Sequence, residues 1–225
     1  MPTVTAAACT GCGACAAICR FNAIAVVKRQ AMVFPELCHA CGGCSLACPT
    51  AAITPEERVI GSVEQRTIAG VELVTGRLAV GHPAAPPVIH ATRDQARGEL
   101  AVIDAPPGTS CAAAAAIRGV DHVVLVTEPT PFGLHDLRLA VEMARQLELP
   151  LSVVVNRSDI GDQRVHDWCA SEAIAIIGEI PYNRRLAEAY ARGLSAVSAV
   201  PALTAQFRAI LDRLDTTTPT GGTAR

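Results

Sequence analysis

Eight of the ten cysteines in this 225-residue chain stand in two short runs. Cys9, Cys12, Cys15 and Cys19 are spaced C-x2-C-x2-C-x3-C. Cys38, Cys41, Cys44 and Cys48 repeat that spacing 29 residues later, with Pro49 after the last. The repeat extends beyond sulfur: Gly13 matches Gly42, Ala23 matches Ala52 and Ile24 matches Ile53. Such self-similarity is the mark of a duplicated supersecondary unit. The chemistry this spacing suits is iron–sulfur. A 4Fe–4S cube takes four thiolates, and cysteines at i, i+3 and i+6 of one loop can wrap it. Gly11, Gly13, Gly42 and Gly43 allow the backbone to turn sharply and to aim N–H groups at sulfide. The fourth cysteine, after x3, is expected to start a short helix and point away. Zinc is the competing reading, but zinc sites pair two CxxC units at longer separation and need no third cysteine at i+6. Structural thiols with no ligand would need no spacing at all.

Around the runs, residues 23–27, 31–34 and 51–54 alternate as short strands do. With the two runs, they make residues 1–57 resemble a bacterial-type ferredoxin domain carrying two 4Fe–4S clusters. In that family the fourth cysteine of each run ligates the opposite cluster. The resemblance therefore implies one cluster on Cys9, Cys12, Cys15 and Cys48, and another on Cys38, Cys41, Cys44 and Cys19. It also implies one-electron transfer at low potential. Arg20 stands where proline would be usual, and its charge would tend to raise the potential of a nearby cluster. His39, between Cys38 and Cys41, is read either as tuning a cluster by hydrogen bonding or as facing solvent.

Composition narrows the remaining possibilities. Half of the chain is hydrophobic and the formal net charge is −2, so nothing electrostatic points to nucleic acid or anionic lipid as a partner. No apolar run reaches the ~18 residues of a membrane span. The first eight residues carry no basic side chain, and cysteines in tight runs suit a reducing compartment; a cytoplasmic protein is expected.

Beyond Pro55 the pattern changes. Residues 70–80 read as two short strands around Thr75-Gly76. The proline-rich stretch 81–90 reads as a connection without regular structure, so 58–91 is taken as a hairpin and linker. Apolar runs at 100–104, 122–129, 151–156 and 174–181 read as strands of a parallel sheet buried on both faces. Helical stretches are expected at 111–118, 133–147, 162–172, 184–192 and 201–214. Residues 92–215 thus form an α/β domain, and 216–225 a disordered tail.

"DAPPG" (104–108), "TEPTPFGLHDL" (127–137), "VVVNRSD" (153–159) and "GEIPYN" (178–183) resemble the MinD/ParA-type P-loop ATPases, in particular the subgroup with an inserted two-cluster ferredoxin domain. The resemblance implies nucleotide-contacting roles for Asp104, as a Mg²⁺-associated acid, Gly108, Asn156 and Asp159. It departs from the family in DAPPG for DGPPG and NRSD for NKxD. It also departs in what is missing. The K-G-G-x-G-K-S/T loop that grips phosphates does not occur, and Lys28 is the only lysine. The fold is accordingly expected to be an incomplete P-loop NTPase-like sheet preceded by the small α+β ferredoxin domain. Three arrangements account for this: a start further upstream, a partner subunit that supplies the loop, or loss of ATPase function. The chain alone is not expected to hydrolyse ATP, since phosphoryl transfer depends on that electrostatic grip. ATP and Mg²⁺ would belong only to a complete assembly.

Three functions are expected to compete, one of them a binding module whose α/β part docks a partner while the clusters are structural. The first is one-electron transfer through two 4Fe–4S clusters to a redox partner protein, with the α/β part as scaffold. The second is ATP binding, with the P-loop supplied upstream, by a partner subunit or in a homodimer, in iron–sulfur cluster assembly or regulation. Cys111 is read either as a small apolar residue starting a helix or as a residue near the nucleotide or in redox signalling, and Cys169 as a buried helix residue; His135 and Asp136 match the ATPase family, where His135 has a functional reading, while helix-start polarity explains Asp136 as well.

Overall fold

The computed structural model describes residues 1–217, with side chains through 214. The chain divides into two units, one spanning Met1–Val102 and the other beginning at Ile103.

The first unit opens with the duplicated element. Strand β1 (Pro2–Val4) is followed by helix α1 (Ala14–Ile18) and the hairpin β2 (Ile24–Val27) and β3 (Gln30–Val33); helix α2 (Gly43–Ala47) and strand β4 (Ile53–Pro55) complete it. β1 pairs antiparallel with β4, and β2 with β3, so the first and last strands close the unit on themselves. Its core is Cys15, Ile24, Ala31 and Ile53, with Val4, Val26 and Val33 packed against it. The repeat-related pairs Ala23/Ala52 and Ile24/Ile53 are all buried, which is why they recur: each copy contributes the same two side chains to one small core.

A second hairpin comes next, β5 (Gly61–Ile68) and β6 (Val71–Leu78). The turn falls at Ala69-Gly70, both with positive φ, rather than at Thr75-Gly76; the latter pair lies within β6 opposite Glu64 and Val63. Gly76 is there for packing, because a Cβ would meet Thr92 and Val88 of α3 (Pro86–Arg93). The proline-rich stretch was expected to be irregular; instead Pro86 and Pro87 start α3. Proline suits the first helical positions, where the missing N–H is not needed.

The second unit is an α/β layer. Helix α4 (Cys111–Ile117) precedes a parallel three-stranded sheet in the order β7 (Val123–Thr127), β8 (Leu151–Asn156), β9 (Ile176–Ile180). Helices α5 (Pro131–Gln146), α6 (Arg164–Ser171), α7 (Arg184–Tyr190), α8 (Ala196–Ala199) and α9 (Leu203–Thr217) accompany it. Leu134, Leu137, Val141, Val153, Val155, Val165 and Cys169 form the core. Thr130 caps α5 by accepting from Gly133 N at 3.0 Å, a bond that satisfies one of the helix's otherwise unpaired donors. α9 packs on β9: Arg213 Nη1 donates to Ile177 O at 2.8 Å, and Gly178 leaves room for Ile210.

The strand expected over 100–104 does not form. A buried strand needs a ladder for its backbone groups. Among the described residues this run pairs with no strand, and Leu100 and Val102 are 72% and 84% exposed. β7 is an edge strand, with Val126 66% exposed. Of the expected tail, 216–217 continue α9; the rest lies outside the described residues.

Candidate metal centre

Each cysteine run is shaped by one glycine. Gly13 and Gly42 cap α1 and α2 with left-handed backbones, φ 84° and 76°. That conformation is open to glycine without the Cβ penalty. It ends each loop and starts a helix of five residues. The fourth cysteine does not start this helix, as the spacing suggested; it terminates it. Cys19 and Cys48 are the carboxyl caps, both extended (φ −74°, ψ 103° and φ −78°, ψ 111°). The extended cap turns the thiol away from its own loop.

The result is two cavities. Cys9, Cys12, Cys15 and Cys48 line the first, of about 10 Å³. Cys19, Cys38, Cys41 and Cys44 line the second, of about 60 Å³. In each, three thiols come from one run and the fourth from the other. All ten cysteines of the chain are free thiols. Among the described residues no three His, Cys, Asp or Glu side chains close on a single-ion site; the eight thiols ring two spaces instead. No carboxylate lines either cavity. An all-thiol donor set is what iron–sulfur clusters take, one thiolate to each iron of a cube, and the residues present fit that group.

Backbone amides approach the sulfurs in a repeated pattern. Ala23 N donates to Cys19 Sγ and Ala52 N to Cys48 Sγ, both at 3.3 Å. Ala40 N donates to Cys38 Sγ at 3.4 Å. Thr50 Oγ1 lies 3.7 Å from Cys48 Sγ and donates to Ala8 O at 2.8 Å. The Thr50 hydroxyl is the main cause holding the Cys48 thiol below the usual range, whereas burial pushes Cys15 and Cys44 up. Iron must displace a proton from the latter two, so loading is favoured as pH rises.

Three features around the cavities were missed in the sequence. Phe21 stacks on His39, ring centroids 3.8 Å apart and planes 14° from parallel, at the rim of the second cavity. The Lys28-Arg29 turn, both residues at positive φ, sets the Arg29 backbone against Gly11 so closely that no Cβ fits there. The third is the Thr50 bond. The stack had a signal: Phe21 and His39 lie two and one residues after Cys19 and Cys38, which the crossing of the fourth cysteine brings together.

The residues singled out for nucleotide contact are dispersed within the second unit. Asn156 ends β8 and is half-buried. Asp159, exposed, accepts from Tyr182 N at 2.5 Å. Asp104 and Gly108 are exposed on the loop before α4, with Gly108 at φ +81°, and Asp104 has no strand to end. Cys169 is buried as expected, with its thiol pushed up by burial; Cys111 starts α4 as expected, but is exposed there.

Comparison with known proteins locates the domain. Residues 8–53 match the family described as "4Fe-4S dicluster domain". Over 181 residues the chain is 26% identical to Uncharacterized protein MJ0579 of Methanocaldococcus jannaschii, covering 79% of this chain and 63% of that protein. Over 157 residues it is 30% identical to Uncharacterized protein MJ0578 of the same organism, covering 68% of this chain and 55% of that one. The chain thus spans less than two thirds of the length of either relative. The cysteine spacing, the two sulfur-lined cavities and the family match converge on one statement: a 4Fe-4S dicluster domain lies in the amino-terminal part of this chain.

Proposed function

We propose that this protein carries electrons one at a time through two 4Fe–4S clusters. Cys9, Cys12, Cys15 and Cys48 hold one cluster, and Cys38, Cys41, Cys44 and Cys19 the other. The observation that carries this reading is the three-plus-one composition of both cavities. The clusters supply one-electron redox chemistry; the chain's part is to bind, tune and shield them. Cys15 and Cys38 are buried while Cys12 and Cys41 are exposed, so each site has a protected side and an accessible one. Amide donors on Cys19, Cys38 and Cys48 stabilise negative charge on sulfur and so favour the reduced state.

The reading places the protein in a reducing compartment, the cytoplasm, with a redox protein as partner. Among the described residues no helix is long and apolar enough to cross a membrane. Anaerobic reconstitution tests the reading: about eight irons and eight sulfides per chain are expected, with reversible one-electron reduction in the region of about −400 mV. Bound zinc, or iron well short of that number, would overturn it.

A subordinate reading gives the second unit a MinD/ParA-like nucleotide site. Asn156 and Asp159 at the carboxyl end of β8, where ligands of parallel sheets bind, favour it. Titration of the chain with a fluorescent ATP analogue and Mg²⁺ tests it; an unchanged signal counts against it.

A further inference from the structure

We propose that this domain exchanges electrons with its partner at the second cavity, across the Phe21–His39 stack. The partner is a redox protein that presents an apolar patch with a carboxylate facing Arg20. The inference rests on the iron–sulfur reading above.

The duplication allows the two rims to be compared position by position. The counterparts of Phe21, His39 and Ala40 in the first site are Thr50, Thr10 and Gly11. Both sets line their cavities. At these positions the first rim carries two threonine hydroxyls and a glycine, with Cys12 exposed beside them. Thr50 is tied to Ala8 O, and the backbone of the Lys28-Arg29 turn sits on Gly11. The second rim carries two stacked rings and an alanine there instead. Phe21 lies flat on His39, yet is 40% exposed, and Ile18 is 48% exposed. Gly43, between them and exposed Cys41, has Cys41 Sγ and Ile18 Cδ1 at the limit of contact. Nothing lies within 4 Å of a Cβ on Gly42 or on its counterpart Gly13, so the surface is bare at the start of both helices and the stacked rings are what set the second apart.

Clustered apolar exposure marks an interaction surface, and aromatic and arginine side chains are those that anchor interfaces. Arg20 lies between Cys19 and Phe21 and is exposed. Across 14–24 and 38–55, which supply most of this rim, it is the only Lys, Arg, Asp or Glu; Met1 also lines the cavity, and its thioether accepts from Arg58. Cationic side chains beside a cavity lined by no carboxylate select a partner with a carboxylate and repel a cationic one. One electron crosses between this site and the partner's centre; no bond forms or breaks. Apolar contact over Cys41 shortens the distance it must cover and excludes water.

The test uses the full chain with its iron and sulfide content measured first; a shortfall there overturns the iron–sulfur reading itself, before any partner is added. The probe is flavodoxin, a carboxylate-rich flavoprotein. Binding is measured by calorimetry with both proteins oxidised, so that no electron moves, and the rate of flavodoxin reduction by stopped flow. Arg20→Glu and Phe21→Ala should each weaken binding by about tenfold or more, and Phe21→Leu, which keeps bulk but loses the stack, by less. Lys28→Glu, at the other rim, should change it by under about twofold. Equal losses for Lys28→Glu and Arg20→Glu would overturn the proposal. So would flavodoxin binding no tighter than cationic cytochrome c.

Discussion

The two units build their candidate sites in opposite ways. In the first, three of the four thiols at each cavity come from one seven-residue stretch, and a single crossing supplies the fourth. In the second, Asp104 and Gly108 sit on the loop before α4 and Asn156 and Asp159 at the end of β8, and only the order of the strands could bring the two pairs together. A site written into local spacing is carried by the loop itself. A site assembled by a sheet depends on every strand that the sheet contains. This is why the sulfur sets meet, while Asp104, which was to end a strand, lies exposed on a loop.

The largest effect should come from breaking the crossing. Cys48→Ala should cost one cluster outright, dropping iron from about eight to about four per chain, with the cluster on Cys19, Cys38, Cys41 and Cys44 retained; iron analysis and electron paramagnetic resonance read both. Loss of the cluster on Cys38, Cys41 and Cys44 instead would mean that the fourth cysteine does not cross. Next, Leu137→Ala in the second unit's core should destabilise that unit by about 2–5 kcal/mol. The cluster absorbance of the first unit should survive under conditions that unfold the second. Co-melting of the two would erase the contrast between them. A smaller loss, about 1–3 kcal/mol from a side chain forced into a left-handed, crowded position, is expected for Gly11→Ala, with reduced occupancy of the first site. Its mirror image, Ala40→Gly, should cost well under about 1 kcal/mol; thermal melts of the two variants make the comparison.

Legibility in the sequence divides along the same line. The cysteine sets, the repeated buried Ala–Ile pairs and the ferredoxin-like strands were legible because each is a short-range pattern. β7, β8 and β9 were legible as apolar runs bounded by turns, and so were α5 and α6. Three things were not. The 100–104 run reads as a buried strand, but pairing is decided by neighbours and not by composition. The α3 prolines read as breakers because their place, at the first positions of a helix, is set by the residues on their carboxyl side. The Phe21–His39 stack joins residues 18 apart, and only the exchange of the fourth cysteine between loops brings them face to face.

That exchange has an evolutionary corollary. A single 29-residue copy would possess three thiols around its own space and a fourth that reaches elsewhere, and its outer strand would lack a mate, since β1 pairs with β4 of the other copy. Such a peptide could be complete only as a twin pair, its assembly governed by how much of it was present. Tethering both copies on one polypeptide replaces that concentration dependence with an intramolecular encounter. The tandem arrangement thus makes the metal-holding fold independent of dilution.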